Sequence, residues 1–185
     1  MQQNTPASPY APVDQTGVTI DGLNIGHAVS EIHEQGYTVV EQFLTSDVIE
    51  PIREAFNTEV PITEMRFLGS TTGNTWRAHN LLAKTRAIDE LLLDSRLRAI
   101  VEGVIGKFCQ INIATLFNTL PGEFKQDLHQ DDGLWPIPRR TRHSCVTCSL
   151  LLTISPWKTE QRMWCRIVIN GRNPWTRPSN QCRSK

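Results

Sequence analysis

His129 and Asp131 are separated by one residue, in the stretch LHQDDGLWPIPR that runs from Leu128 to Arg139. On a β-strand, side chains at positions i and i+2 point to the same face, so a strand here would present an imidazole beside a carboxylate. These are two of the three ligands of the facial triad by which non-haem oxygenases hold Fe(II). The competing interpretation is a solvated loop histidine beside an ordinary turn aspartate. In a sequence of this length and composition, a His-x-Asp pair arises by chance about once in every five sequences.

The sequence that precedes this pair predicts a helix, a strand and a second helix between residues 24 and 59. NIGHAVSEIHEQG has apolar residues at helical spacing and ends at Gly36, a good C-cap. YTVVEQF is short and β-branched, which is typical of a strand. LTSDVIEPIREAF predicts the second helix, with Thr45 or Ser46 as N-cap and with Pro51 early enough to be tolerated, with a kink.

After a glycine- and threonine-rich loop around residues 69–74, the pattern changes from helical to extended. DSRLRAIVEGVIG predicts a helix with Ser95 as N-cap and Gly106 as its end. CQINIATLF alternates with period two and predicts a strand whose apolar face contains Cys109, Ile111 and Ile113. The turn NTLPGEF then leads into an extended segment that carries the His-x-Asp pair. Helices first and strands later indicate an α+β fold.

Length and composition predict one domain with a sizeable core. No stretch approaches the roughly 18–20 apolar residues that a bilayer span requires, so we expect no membrane partner. The first residues, MQQNTPASPYAPVDQTG, are polar and proline-bearing rather than a secretory signal. We therefore expect residues 1–17 to be a disordered lead-in and the protein to be cytoplasmic.

Two segments and their order resemble the phytanoyl-CoA dioxygenase family: TWRAHNLLAK, and INIATLFNTLPGEFKQDLHQDDGLWPIPR. The resemblance covers roughly residues 22–139 and is most specific from Gln126 to Pro138. It implies a double-stranded β-helix (jelly-roll or cupin-like) enzyme that uses Fe(II) and 2-oxoglutarate to hydroxylate an unactivated C–H bond of a small-molecule substrate. It also implies that His129 and Asp131 bind iron and that Gln126 lies near 2-oxoglutarate.

Other residues of the resembling segments have weaker roles, and some family elements are missing. Trp135 and Arg77 stand where substrate-pocket residues would be, although packing or surface charge explains them as well.

The family places a second iron-binding histidine several strands later, and an arginine beyond it that grips the distal carboxylate of 2-oxoglutarate. Neither can be placed here, because His143 is the only later histidine and its surroundings do not match. The β-helix is therefore expected to be incomplete.

The composition changes sharply near Arg139. Up to Pro138 the chain has 9 Lys and Arg against 18 Asp and Glu, whereas residues 139–185 have 10 against 1. A zinc ribbon fits this tail poorly, since Cys165 and Cys182 are too widely spaced to form a second ligand pair beside Cys145 and Cys148. A disulfide framework is no better without an export signal. The positive charges follow no helical or stacking pattern, so we expect no nucleic-acid partner.

A frame-shifted translation of the family's own downstream sequence explains this tail better. The test is to read the gene in a shifted frame, in which each new triplet starts at the third base of a codon of the present sequence. Tryptophan and methionine have a single codon each, so the new triplets that begin within these codons have a known first base. The pair Trp157-Lys158 then forces Glu, and the following triplets permit Asn-Gly-Ala; the run 163–165 forces Val-Val. The amino-acid sequence obtained in the shifted frame resembles the sequence that the family has at these positions. We therefore expect 18–139 to be the N-terminal part of the family domain, and 140–185 to be an aberrant tail that is not natively folded.

Two functional hypotheses remain. In the first, the chain is a truncated, inactive form of an Fe(II)/2-oxoglutarate dioxygenase. In the second, it is an intact, non-enzymatic binding module whose basic tail contacts an acidic partner. The sequence indicates neither the substrate nor the oligomeric state.

Sequencing the coding locus separates these hypotheses. We expect a second open frame that continues after about codon 139 and encodes a late histidine and arginine, because the composition changes there. A single uninterrupted gene whose basic tail is retained in close relatives would contradict the register shift.

Overall fold

The computed structural model describes Ser8 and residues 11–60, 63–64, 74–124, 146–150 and 162–166; for residues 63–64, 150 and 162–166 it describes the backbone alone. These residues form α-helices and small antiparallel sheets, which confirms the α+β class. None of the described helices combines the length and the apolar composition that crossing a membrane requires. The elements are β1 (Thr19–Ile20), β2 (Leu23–Asn24), α1 (Ile25–Gln35), β3 (Tyr37–Glu41), α2 (Ser46–Thr58), β4 (Thr63–Glu64), β5 (Thr75–Ala78), α3 (Asp89–Leu92), α4 (Ser95–Ile105), β6 (Leu116–Thr119), β7 (Thr147–Leu150) and β8 (Arg162–Arg166).

The chain divides into two compact units. The first contains the residues up to Phe43, the segment Ser95–Cys109 and the late strands β7 and β8. The second contains Leu44–Asp94 and the residues from Gln110 onward to β6 and its following turn.

Helix α1 of the first unit begins and ends where its sequence predicts. The Asn24 side chain accepts a hydrogen bond from the His27 amide at 2.9 Å, which caps the first turn. Gly36 ends the helix with φ +89°, a left-handed conformation that favours glycine. The buried face of α1 consists of Ile25, Ala28, Val29 and Ile32. The next strand, β3, follows immediately, as the β-branched sequence predicts.

Helix α4 packs against α1 and against the segment that precedes β1. A methyl group added at Gly103 would lie 2.7 Å from a Val29 methyl, so the two helices are in close contact there. The amide of Val13 donates to the Glu102 carbonyl at 2.9 Å. The Gln15 side chain, which is buried, donates to the Ala99 carbonyl at 3.0 Å. The end of the expected 1–17 lead-in is therefore in contact with α4.

A three-stranded antiparallel sheet in the first unit has the order β3-β8-β7. Each residue of β3 from Tyr37 to Glu41 pairs with a residue of β8. The next pairing, between β8 and β7, places Cys148 opposite Cys165. Both late strands come from residues 140–185, the segment expected to be an aberrant tail.

Helix α2 opens the second unit with a clear apolar face. Thr45 is its N-cap, and a hydrogen bond from Thr45 lowers the pKa of the Asp47 carboxyl below its ordinary value. Pro51 lies inside the helix, which continues to Thr58. The buried positions follow helical spacing and are Ile49, Ile52, Ala55 and Phe56.

The predicted strand CQINIATLF is wrong over most of its length. Only its last two residues belong to a strand, β6, and the residues from Cys109 to Ile113 are all exposed rather than alternately buried. The physical reason is the length of the partner: β5 has four residues and pairs with Leu116–Thr119 alone. An alternating apolar pattern forms a strand only where a ladder partner satisfies its backbone.

Replacing Gly26 tests the contact between α1 and the preceding segment. A Cβ atom at this position would lie 2.5 Å from the Gln15 carbonyl oxygen, a backbone atom that cannot rotate away. We expect Gly26→Ala to destabilise the protein by about 1–3 kcal/mol, even though alanine favours helices. Urea unfolding measures the change, and Ser30→Ala on the exposed face of α1 is the control. An equally stable Gly26→Ala would show that this segment does not pack as described.

Candidate functional site

Arg77 lies in β5, the central strand of a three-stranded antiparallel sheet with the order β4-β5-β6. The sequence of β5, Thr-Trp-Arg-Ala, begins with β-branched and aromatic residues that favour strands. Arg77 pairs with Thr63 on one side and with Phe117 on the other. Hydrogen-bonded neighbours on both sides therefore fix the backbone at Arg77.

The Arg77 side chain is buried, with only 5% of its surface exposed. Directly opposite residues of an antiparallel pair point to the same face, which brings the guanidinium over the ring of Phe117. The central carbon of the guanidinium lies 5.0 Å from the ring centroid, within the range of a cation–π contact. Phe117 itself is more than half exposed, at 55%.

The Nε atom of the Arg77 guanidinium is buried and has no hydrogen-bond partner among the residues that the structure describes. No ion pair to Arg77 occurs within the same residues, whereas Arg53 and Arg86 in the same unit each contact a carboxylate. An arginine side chain keeps its charge inside proteins, and burial of an unpaired charge is strongly unfavourable. The site therefore contains a buried cation that has no ion-pair partner among the described residues.

Thr75 stands two positions before Arg77 and so shares its face of β5. It is buried, and its hydroxyl donates to Glu123 Oε2 at 3.0 Å. The other carboxylate oxygen, Oε1, accepts from the Phe124 amide at 3.2 Å. The acidic side chain placed on this face is thus engaged by Thr75 and by the backbone.

The turn after β6 brings Glu123 back to β5. The amide of Leu120 donates to the Asn74 carbonyl at 2.9 Å, which joins the ends of the two strands. Gly122 has φ +90°, so the glycine of the predicted NTLPGEF turn supplies the left-handed conformation that the turn requires. This turn leads directly into the segment that contains the His-x-Asp pair.

The described residues contain no site that could hold a metal. Across the described ranges, no three or more His, Cys, Asp or Glu side chains come together as possible ligands. His79 directly follows β5, and its Nδ1 lies 3.2 Å from the Thr115 hydroxyl oxygen.

Of the five predicted site residues, the structure describes one. Gln126, His129, Asp131 and Trp135 lie outside the described residues. Arg77 is described, and its burial distinguishes it from a surface charge. The sequence alone did not predict its neighbours Thr75, Phe117 and Glu123 as site residues. Two of them had a local signal, namely the alternation of β5 for Thr75 and the NTLPGEF turn for Glu123.

The model of the phytanoyl-CoA dioxygenase family matches residues 32–156, which is more than half of the chain. The match includes Arg77 and the whole segment from Gln126 to Pro138, and it continues past Arg139. No solved structure matches the chain significantly.

The hydrogen bond between Thr75 and Glu123 can be measured by a double-mutant cycle. Thr75→Val removes the hydroxyl but keeps the shape, and Glu123→Gln removes the charge. We expect a coupling free energy of about 1–3 kcal/mol, because the bond joins a buried hydroxyl to a charged acceptor. Thr119→Val on the exposed facing strand is the control and should change stability little. Additive effects of the two substitutions would show that the bond contributes nothing.

Proposed function

The chain belongs to the phytanoyl-CoA dioxygenase family, and on this premise we propose that it derives from a non-haem Fe(II)- and 2-oxoglutarate-dependent dioxygenase that hydroxylates a small organic substrate. The observation that carries the proposal is the family match over residues 32–156, which contains the entire His-x-Asp segment. The alternative, a binding module of a different class, has no observation in its favour.

Within this proposal, the candidate residues have distinct roles. His129 and Asp131 are the iron ligands, and an imidazole with a carboxylate is the donor chemistry that non-haem Fe(II) sites use. Gln126 lies near 2-oxoglutarate, while Trp135 and Arg77 line the substrate pocket. The buried Nε of Arg77 has no hydrogen-bond partner among the described residues, and it supports a pocket role because buried polar atoms in proteins are nearly always paired.

The donor set is one ligand short of a facial triad. His143, the only histidine after Asp131, lacks the surroundings of the family's second histidine. No arginine after Asp131 has the surroundings of the one by which the family grips the distal carboxylate of 2-oxoglutarate. We therefore propose that a chain of these 185 residues is an inactive form.

The exposed apolar side chains of the second unit support an incomplete β-helix. Five of them lie between residue 111, in the segment wrongly predicted as a strand, and residue 124, in the turn after β6: Ile111, Ile113, Phe117, Leu120 and Phe124. A completed double-stranded β-helix would provide further strands to cover such a surface. Uncovered, it is a liability for aggregation.

Iron binding and turnover test the proposed function separately. We expect the purified chain to bind Fe(II) weakly under anaerobic conditions and to release no succinate from 2-oxoglutarate above background. His129→Ala should weaken the binding by about 10-fold or more, since it removes half of the donor set. His27→Ala is the matched control, because His27 is exposed on α1.

Two outcomes would contradict the proposal in different ways. Equal iron binding by the wild-type and His129→Ala chains would remove His129 from the metal site. Robust succinate release that His129→Ala abolishes would confirm the ligand but show that the chain is active.

A further inference from the structure

Two cysteines stand directly opposite each other in the antiparallel pair of β7 and β8. The register places Cys148 of β7 against Cys165 of β8. The Cα atoms of such opposite residues are about 4.5 or 5.5 Å apart, depending on whether the two residues exchange backbone hydrogen bonds. Both separations lie within the roughly 4.4–6.8 Å over which disulfides form. The backbone therefore brings these cysteines to a distance that a disulfide bond can bridge without movement of the strands.

The register at Cys165 is set from both sides of its strand. β8 is the central strand of the sheet β3-β8-β7, and Cys165 pairs with Thr38 of β3 as well as with Cys148. Thr38 is buried, and its hydroxyl donates to Glu31 Oε2 of α1 at 2.6 Å, which holds β3 against the helix. A slip of one residue between β8 and β7 would remove Cys165 from Cys148 and would also turn every side chain of one strand to the other face.

We propose that Cys148 and Cys165 are a redox-responsive pair that forms an intrachain disulfide. With oxidised glutathione as the oxidant, one thiolate of the pair attacks a glutathione sulfur, which releases one glutathione and leaves a mixed disulfide. The second thiolate then attacks the protein sulfur of that mixed disulfide and releases the other glutathione. The chain loses two electrons and two protons, and the oxidant takes them up as two glutathione thiols.

The charge and exposure of this region favour the reaction. Residues 139–185 contain 10 Lys and Arg against 1 Asp and Glu, so they attract oxidised glutathione, which is an anion. Cys148 is partly exposed, which gives the oxidant access to the pair. Cys109 is exposed as well but belongs to no strand, so it has no cysteine opposite it in a register. The inference does not rest on the proposed function, because neither cysteine of the pair is a proposed iron ligand or pocket residue.

Peptide mapping of the full chain tests the proposal. The folded protein is incubated with oxidised glutathione, alkylated and digested with trypsin, and mass spectrometry identifies the linked peptides. We expect the peptide 143–158 to be joined to the peptide 163–166. The first of these contains Cys145 as well as Cys148. Cys145→Ser should therefore keep the link, whereas Cys148→Ser should abolish it.

Oxidation of the unfolded chain separates a link directed by the strands from a random one. In the folded chain, we expect the link from Cys148 to Cys165 to exceed the link from Cys145 to Cys165 by about tenfold or more, because the register raises the effective concentration of one pair. In concentrated urea, the two links should form to similar extents. The rate in the folded chain should fall as salt is added, since salt screens the attraction of the anionic oxidant.

The stability of the oxidised chain gives a second measurement. A disulfide constrains the unfolded chain, so oxidation should raise the urea midpoint of the wild-type protein. Cys109→Ser is the matched control and should show the same shift, whereas Cys165→Ser should show none. Equal amounts of the two links in the folded chain would overturn the proposal. A product in which Cys148 and Cys165 each remain joined to glutathione would also overturn it.

Discussion

The antiparallel pairing of β5 with β6 is the constraint on which the candidate site depends. It joins two segments that are distant in sequence, and the hydrogen bond from Thr75 to Glu123 spans 48 positions. The register of this pairing sets Arg77 opposite Phe117 and Thr75 opposite Thr119, so one face of the sheet collects the polar groups. The turn at Gly122 then starts the segment that contains His129 and Asp131. A shift of one residue in the register would turn Arg77 to the other face.

The elements that the sequence predicts well are those whose signals are local. Helix α1 has its cap, its apolar stripe and its terminal glycine within a few residues of one another, and both ends lie as expected. Helix α4 follows its apolar spacing, with Ser95 as its first residue rather than its N-cap. The strand after α1 is also predicted by its β-branched residues. Each of these patterns contains the information that determines its structure.

The elements that the sequence does not predict depend on distant partners. The alternation of Cys109, Ile111 and Ile113 is typical of a strand, but β5 is too short to pair with them. Gln15 lies in a stretch whose composition favours disorder, yet α4 offers a carbonyl for its side chain. The burial of Arg77 is likewise invisible in TWRA, because a single strand does not reveal what covers it. Resemblance to a family identified Arg77 as a pocket candidate, and only the tertiary structure shows that its Nε is buried without a hydrogen-bond partner among the described residues.

The proposed iron site and the ladder around β5 use different parts of the sequence. A facial triad adds a third protein ligand to an imidazole and a carboxylate, and the family resemblance implies that this ligand follows the His-x-Asp pair. Arg77 needs only the ladder that fixes β5 between β4 and β6, all of which precede the His-x-Asp segment. The strands that fix the backbone at Arg77 therefore form a ladder that contains neither of the proposed iron ligands.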